Sequence, residues 1–455
     1  MLTRREFNRR LVSGMAGAAV AGPLAAQEAQ QAEEPAVLCR ATLINGQRLR
    51  ASLEELARFG RLPEGGLPAG QAGTSRVGFS RADLEAHHWL MGQLRDEGLE
   101  VMIDAAANSR ARRAGDRDDL PALWFGSHID TVPHGGNFDG CVGSLSALEV
   151  MRSFNEKGIR TRHPLELVIF SNEEGVHYGK GLFGSRALVG ELEAGELDDV
   201  DAQGVRLAEW IRRYGGDPDR IPTMTPRTET IHSYLELHIE QGATLWSRGL
   251  PLGIVEGIVG IKRYHVTLQG FPNHAGTTPM DQRRDALVAA SKIVLAVRAI
   301  VTGEPGRQVG TVGRMEVHPG APNVIPGLVR FPIELRDLSE EKIDRLAERI
   351  REQAAQLAAE EKVSFSMEFA TSHEPALTDR RIRFHIQKAA EAMRAPALTM
   401  ASGAGHDAQM MARLCPVGMI FVPSVEGISH APREFSRWEE VACGCECLYR
   451  TLLRL

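Results

Sequence analysis

The chain has 455 residues, 43% hydrophobic and 25% charged, an ordinary globular composition with room for two or three domains. A formal charge of −6 excludes the basic footprint of a nucleic-acid or anionic-membrane binder. An aromatic content of 5% also argues against a stacking platform for single strands.

The first element in chain order is a targeting signal. Thr3-Arg4-Arg5-Glu6-Phe7 precedes a weakly apolar run from Leu11 to Ala21, followed by Pro23-Leu24-Ala25-Ala26. Residues 1–26 therefore read as a twin-arginine-type signal peptide, with periplasmic or secreted localisation expected and a cytoplasmic protein as the alternative. The run is too short to span a bilayer, so no membrane association is expected after cleavage.

A short helix is predicted over 51–60, capped by Ser52, followed by a Gly- and Pro-rich loop over 61–80. Ser80 and Asp83 form a capping pattern for a helix reaching about Glu97. Strands are predicted at 99–104, at 120–127 running into His128, and at 165–170 running into Ser171-Asn172-Glu173-Glu174; a helix spans 140–155. This order implies an α/β fold: a mostly parallel sheet with helices on both faces. After Glu240 the texture changes. Strands at 252–260, 262–269, 308–317, 328–335 and 363–369 alternate with helices at 281–302 and 339–360. They describe a smaller α+β domain, 249–371, inserted into a catalytic domain of 36–248 and 372–455. A final helix runs from Trp438 to Leu455 and carries Cys443, Cys445 and Cys447. Residues two apart on a helix do not face each other, so these are expected as helix cysteines without a metal or disulfide role. Six cysteines are too few for a disulfide scaffold.

Six segments each supply a residue that a divalent metal needs: GSHIDTV, NFDG, SNEEG, LELHIEQG, NHAGTTP and GISHAP. Histidine nitrogen and carboxylate oxygen suit a hydrolytic zinc-type ion. His128 and Asp130 share a strand face, so the carboxylate can fix the imidazole tautomer. Asp139 follows the turn at Gly135-Gly136 and opens a helix, where the backbone dipole tolerates its charge. Glu173 and Glu174 point apart, so Glu174 is expected on the metal and Glu173 at the water that it activates. His238, His274 and His430 complete the set, and the chemistry indicated is that of a metal-dependent hydrolase.

The segments GSHIDTVPHGGNFDG, SNEEGVHYGKGLFGSRALVG, LELHIEQG, NHAGTTPMDQRRDAL, PNVIPG, SGAGHDA and FVPSVEGISHAPREFS resemble the zinc-dependent amidase and carbamoylase branch of the M20 aminoacylase-type metallohydrolases. That branch holds N-carbamoyl-L-amino acid hydrolases, β-ureidopropionases and allantoate amidohydrolases. The resemblance covers about residues 48–453 and implies two divalent metal ions per subunit, zinc or else manganese, cobalt or nickel. One would be held by His128, Asp139 and His238, the other by Asp139, Glu174 and His430, with Asp139 bridging. Glu173 would act as general base and then acid. The resemblance further implies a homodimer formed through the inserted domain, which brings the residue matching His274 into the partner's site to polarise the substrate carbonyl. Arg336 and Asn323 match substrate-binding positions, Arg336 taking the substrate carboxylate, and Gln241 and Gly405 match further contacts. The expected reaction is hydrolysis of the carbamoyl C–N bond of a small N-carbamoyl-L-amino acid or β-ureido acid, releasing ammonia and carbon dioxide. Allantoate amidohydrolase is the alternative, and a non-catalytic periplasmic binding protein that kept the fold is a third. An export signal departs from the cytoplasmic location usual in this family.

Overall fold

The structure, a computed structural model, describes Cys39 and residues 41–63 and 73–455. The expected signal peptide, residues 1–26, lies outside the described residues.

In chain order the first six strands are β1 (Glu100–Ile103), β2 (Ser109–Arg113), β3 (Ala122–His128), β4 (Leu165–Phe170), β5 (Ile231–Ile239) and β6 (Leu252–Ile258). Then β7 (Gly260–Gln269), β8 (Val309–Thr311), β9 (Glu316–His318), β10 (Leu328–Asp337) and β11 (Ser364–His373) build a separate sheet. The chain returns to the first sheet with β12 (Ala376–Leu377), β13 (Ala397–Ser402) and β14 (Val417–Val422).

The larger sheet runs in the order β1-β2-β4-β3-β5-β14-β6-β12, with β13 beside β6. Its middle is parallel: β4 with β3, β3 with β5, and β5 with β14. Every residue of β3, β4 and β14 is buried. Such unbroken apolar runs are what a strand covered on both faces requires. The helix Cys141–Glu156, buried along almost its whole length, covers one of those faces. Because the middle strands are parallel, the segments that follow β3, β4, β5 and β14 all emerge at one edge of the sheet. That edge is where an open α/β sheet places its chemistry.

The smaller sheet is antiparallel, in the order β11-β7-β10-β8, with β9 on β10. Tyr264, Val266 and Leu268 of β7 point inward on alternate residues, as the sequence alternation predicts. They pack with Ile293 and Val297 of the helix Ala286–Gly303 and with Ile343, Leu346 and Ile350 of the helix Glu340–Glu360. Ala286–Gly303 is long and apolar enough to cross a membrane. Its Ala289, Ala290, Ile293, Val297 and Val301 face this core instead.

Several expectations are corrected. The first helix is Gly46–Leu56, capped by Asn45, whose side chain accepts the Arg48 N–H; Ser52 is buried inside it. The single strand expected at 308–317 is two short ones, β8 and β9, each paired with a different stretch of β10. The smaller sheet spans 260–373, so the strand Leu252–Ile258, expected within the 249–371 insert, is hydrogen-bonded into the larger sheet. Its apolar pattern suits a strand buried in either sheet, and only its partners decide.

Cys443 is not a free helix cysteine but forms a disulfide with Cys39, 404 positions earlier. Cys445 and Cys447 are free and buried. Such a cross-link stabilises chiefly by restricting the unfolded chain. Cys39→Ser, or reduction of the bond, is therefore expected to cost about 2–4 kcal/mol and to lower the melting temperature. Scanning calorimetry with and without reductant checks this, the wild type shifting and the variant not.

Candidate metal centre

The parallel strands deliver the site from four directions. His128 ends β3, Glu173 and Glu174 follow β4, His238 lies near the end of β5, and His430 follows β14 on a loop. Asp139 sits just before the helix Cys141–Glu156 and stands at the centre. Its Oδ1 lies 3.6 Å from His128 Nε2 and 3.2 Å from His238 Nε2. Its Oδ2 lies 3.1 Å from His430 Nε2, which is itself 3.6 Å from Glu174 Oε1. Two groups of donor atoms, His128/Asp139/His238 and Asp139/Glu174/His430, each lie within 4.8 Å of one another and share Asp139. Two donor sets of nitrogen and carboxylate oxygen, joined by one carboxylate, fit a pair of divalent ions. A buried orphan atom agrees with this: Glu174 Oε1 has no hydrogen-bond donor. Gly140 is required here. Its φ is +63°, and a Cβ on it would lie 2.3 Å from His128 Nε2.

Asp130 does more than orient one imidazole. Its Oδ1 is 3.4 Å from His128 Nδ1. The same carboxylate accepts the backbone N–H of Glu173 at Oδ1 and that of Glu174 at Oδ2, each at 3.1 Å. The hydrogen bond of His128 Nδ1 itself is to the Asp130 backbone carbonyl, at 3.1 Å, so the carboxylate chiefly sets the paired glutamates while the residue as a whole orients the histidine. Glu173 belongs to neither donor set, and its Oε2 lies 3.7 Å from His128 Nε2.

Burial pushes the Glu174 carboxyl up to about 8, with the Asp139 carboxylate adding to the effect. Burial likewise drives Glu173 well above the ordinary carboxyl range. Asp139 is buried too, yet the imidazoles of His128, His238 and His430 hold it well below that range. His430 is raised to about 9, chiefly by its contact with Asp139.

The neighbourhood contains residues that the sequence did not single out. Glu236, two before His238 on β5, accepts the Ser127 hydroxyl at 2.7 Å and the Ala408 N–H at 2.9 Å. The His406 ring lies 4.4 Å from that of His238, and its Nε2 is 2.8 Å from Ser402 Oγ. Glu236, His238 and His406 could also surround an ion. Those bonds already engage Glu236 and His406, while His238 Nδ1 is bonded to the Ile239 carbonyl at 2.9 Å. The period-two spacing of Glu236 and His238 in LELH was the available signal.

The other expected site residues divide. Gln241, at φ +56°, donates from Nε2 to Asp139 Oδ2 at 2.6 Å, so it lies in the cluster. His430 is also in the left-handed region, at φ +54°, a strain tolerated where function holds it. Arg336, on β10, donates from Nε and Nη2 to the one oxygen Glu334 Oε1, at 2.8 and 2.7 Å, and to the Gly403 carbonyl at 2.6 Å. Gly405 is exposed on the loop after β13. His274 and Asn323 sit together on the smaller lobe, where the Ala275 N–H donates to the Asn323 carbonyl at 2.9 Å. The hydrogen bonds of the His274 ring remain within its own exposed turn: Nδ1 accepts the N–H groups of Gly276 and Thr277 at 3.0 and 3.2 Å. With Nδ1 as acceptor, the neutral ring carries its proton on Nε2 and presents a donor.

A model of peptidase family M20/M25/M40 matches residues 124–454. The chain belongs to this family. M20 enzymes are metal-dependent, and the donor sets around Asp139 are suited to hold metal. An N-carbamoyl-L-amino acid amidohydrolase of Geobacillus stearothermophilus is 40% identical over 413 residues, 91% of this chain and 99% of the relative. An allantoate amidohydrolase of Escherichia coli strain K12 is 32% identical over 415 residues, 90% of this chain and 98% of the relative. Among solved structures, an amidase of the hydantoinase/carbamoylase family from Burkholderia multivorans superposes with a TM-score of 0.84 at 34% identity, covering 90% and 98% of the two chains.

Proposed function

We propose that this M20 chain is a metal-dependent amidohydrolase that cleaves the carbamoyl C–N bond of an N-carbamoyl-L-amino acid or β-ureido acid. The observation that carries the reading is the pair of donor sets joined at Asp139, with a half-buried carboxylate, Glu173, outside both. The similarity to an N-carbamoyl-L-amino acid amidohydrolase along nearly the whole chain supports the substrate class.

Two divalent ions, zinc or else manganese, cobalt or nickel, supply Lewis acidity when His128, Asp139 and His238 hold one and Asp139, Glu174 and His430 the other. Glu173 takes a proton from the attacking water as its oxygen bonds to the carbamoyl carbon, and returns that proton to the nitrogen as the C–N bond breaks. The products are the amino acid, ammonia and carbon dioxide. The Nε2–H of His274 donates to the carbonyl oxygen as charge develops there. Arg336 offers a planar fork to the substrate carboxylate, with Glu334 Oε1 holding the guanidinium in place. Asn323, Gln241 and Gly405 complete the substrate contacts.

Among the described residues the hydrogen bonds of the His274 ring stay within its own turn, which supports its reaching the metal centre of a partner chain. The enzyme is thus a homodimer through the smaller lobe. The exposed Val288 and Leu295 on the helix Ala286–Gly303 support such a contact. Export is part of the same reading. The twin arginines Arg4 and Arg5 support it, and so does the Cys39–Cys443 disulfide, since such bonds persist in oxidising compartments. Allantoate is the second substrate reading, supported by the similarity to the Escherichia coli allantoate amidohydrolase.

Purified protein loaded with zinc or manganese is expected to release ammonia from N-carbamoyl-L-amino acids or β-ureidopropionate, and to stop when a chelator is added. Release from allantoate alone would transfer the assignment to the second reading. Silence across the panel with metal bound would overturn both.

A further inference from the structure

The two loops that bear Asp139 and His430 are joined by a carboxylate that is not itself a metal donor. Glu434 is 5% exposed, and its two oxygens accept four hydrogen bonds. Oε1 takes the backbone N–H of Phe138 at 2.9 Å and of Asp139 at 3.0 Å. Oε2 takes the His430 N–H at 3.2 Å and the Ser429 hydroxyl at 2.8 Å. The Ser429 hydroxyl also lies 3.0 Å from Asp139 Oδ2. Two ionised oxygens offer about four acceptor directions, so this arrangement uses the whole capacity of the group. The backbone is shaped around it: a Cβ at Gly136 would lie 2.2 Å from Glu434 Oε1. That explains the second glycine of the turn before Asp139, which the need for a turn alone does not.

We propose that Glu434 is a positioning residue that fixes the distance between Asp139 and His430, and so sets the affinity of the ion that those two residues share with Glu174. The inference rests on the reading of these loops as metal-binding. The bonds to Glu434 link residues 295 and 296 positions apart, and no continuous secondary structure joins the two loops. Besides Glu434, the segments meet where Ser429 Oγ and His430 Nε2 approach Asp139 Oδ2, at 3.0 and 3.1 Å, and through aromatic packing. Phe138 packs at 5.3 Å against both Phe435 and Trp438. That contact holds the segments together without defining the positions of the ligand atoms. The geometry therefore separates two duties, with the rings supplying adhesion and the carboxylate supplying register. Glutamine in place of Glu434 keeps the volume but turns an amide N–H₂ toward backbone and hydroxyl donors, so half of the register is lost while the fold is kept.

The test is calorimetric titration of metal-free full-length protein with zinc, alongside thermal denaturation of the metal-free forms. The wild type is expected to take up two ions. Glu434→Gln is expected to weaken one of the two steps by about 10–100-fold, as supporting groups of metal ligands do, and to leave the other within about threefold. Ser429→Ala, which removes one of the four donors, is expected to weaken the same step by a smaller factor and serves if the first variant does not fold. The metal-free melting temperatures are expected to agree within a few degrees. Equal affinities in wild type and both variants would overturn the brace while leaving the metal reading intact. Equal weakening of both steps, with a matching loss of metal-free stability, would overturn it as well, because the residue would then be holding the fold in general. A wild type that binds no metal would overturn the metal reading, and the brace with it.

Discussion

Glu173→Gln is expected to keep both metal ions and to lose turnover by about 10³–10⁴-fold, the upper part of what a positioned acid–base group contributes. Glu173 is outside both donor sets, so its charge is not needed to retain metal. Its place is secured through its main chain, where the N–H donates to Asp130 Oδ1, and that bond is independent of what the side chain carries. Glutamine has the same shape, so the pocket keeps its form. What disappears is a carboxylate beside the donor sets that is free to accept a proton from water without also binding metal. Burial drives the Glu173 carboxyl well above its ordinary range, which means that the ionised form is costly in the folded protein. A neutral isostere removes that cost, so the variant should melt no lower than the wild type. Metal content by elemental analysis, kcat on the active substrate and a thermal melt decide together. Near-normal kcat would sink the assignment, and loss of metal would move Glu173 into the ligand set.

How much of this was legible in the sequence follows from the range of the interactions concerned. The strand Leu165–Phe170 appears with the expected bounds, because a short apolar run bounded by polar residues is a local signal. Ser339 caps its helix as expected, since the cap and the N–H that it accepts, from Lys342, are three residues apart. Asp139, His238 and His430 come together, because metal donors are chemically distinctive wherever they fall in the chain. The strand Ser109–Arg113 was invisible, because three of its five residues are arginines. Arg110 is tolerated there by an ion pair with Glu166 and by lying 4.4 Å from the Trp124 ring centre, and both partners are on other strands. Glu434 and the Cys39–Cys443 bond were missed for the same reason. Each is one ordinary residue whose importance lies in a partner hundreds of positions away. Asp130 was half legible: its relation to His128 follows from spacing, whereas its hold on the amides of Glu173 and Glu174 requires strands β3 and β4 to be neighbours.

A mixture of His274→Ala and Glu173→Gln chains, each inactive alone, is expected to recover about one quarter of wild-type activity after random reassociation into two-fold dimers. His274→Ala alone should lower kcat by about 10²–10³-fold, the effect of removing one donor to a developing oxyanion. Random pairing makes half of the dimers mixed, and each mixed dimer has one site with an intact Glu173 and an intact His274 from the other chain. The second site of that dimer lacks both. The structure provides the reason to expect a shared site. The imidazole Nδ1 is occupied by the Gly276 and Thr277 amides, which leaves Nε2–H as a donor with no partner on its own turn. The turn is anchored to its own lobe through the Asn323 carbonyl and the bridge to Val324. Such a donor is free to reach a substrate carbonyl held at a metal centre, and the mixing experiment tells whether that centre belongs to another chain. Activity measured against mixing ratio gives the answer. A maximum near equal proportions means that the site is built by two chains. A flat line at the level of the single variants means that each chain completes its own site, with His274 carried there by movement of its own lobe.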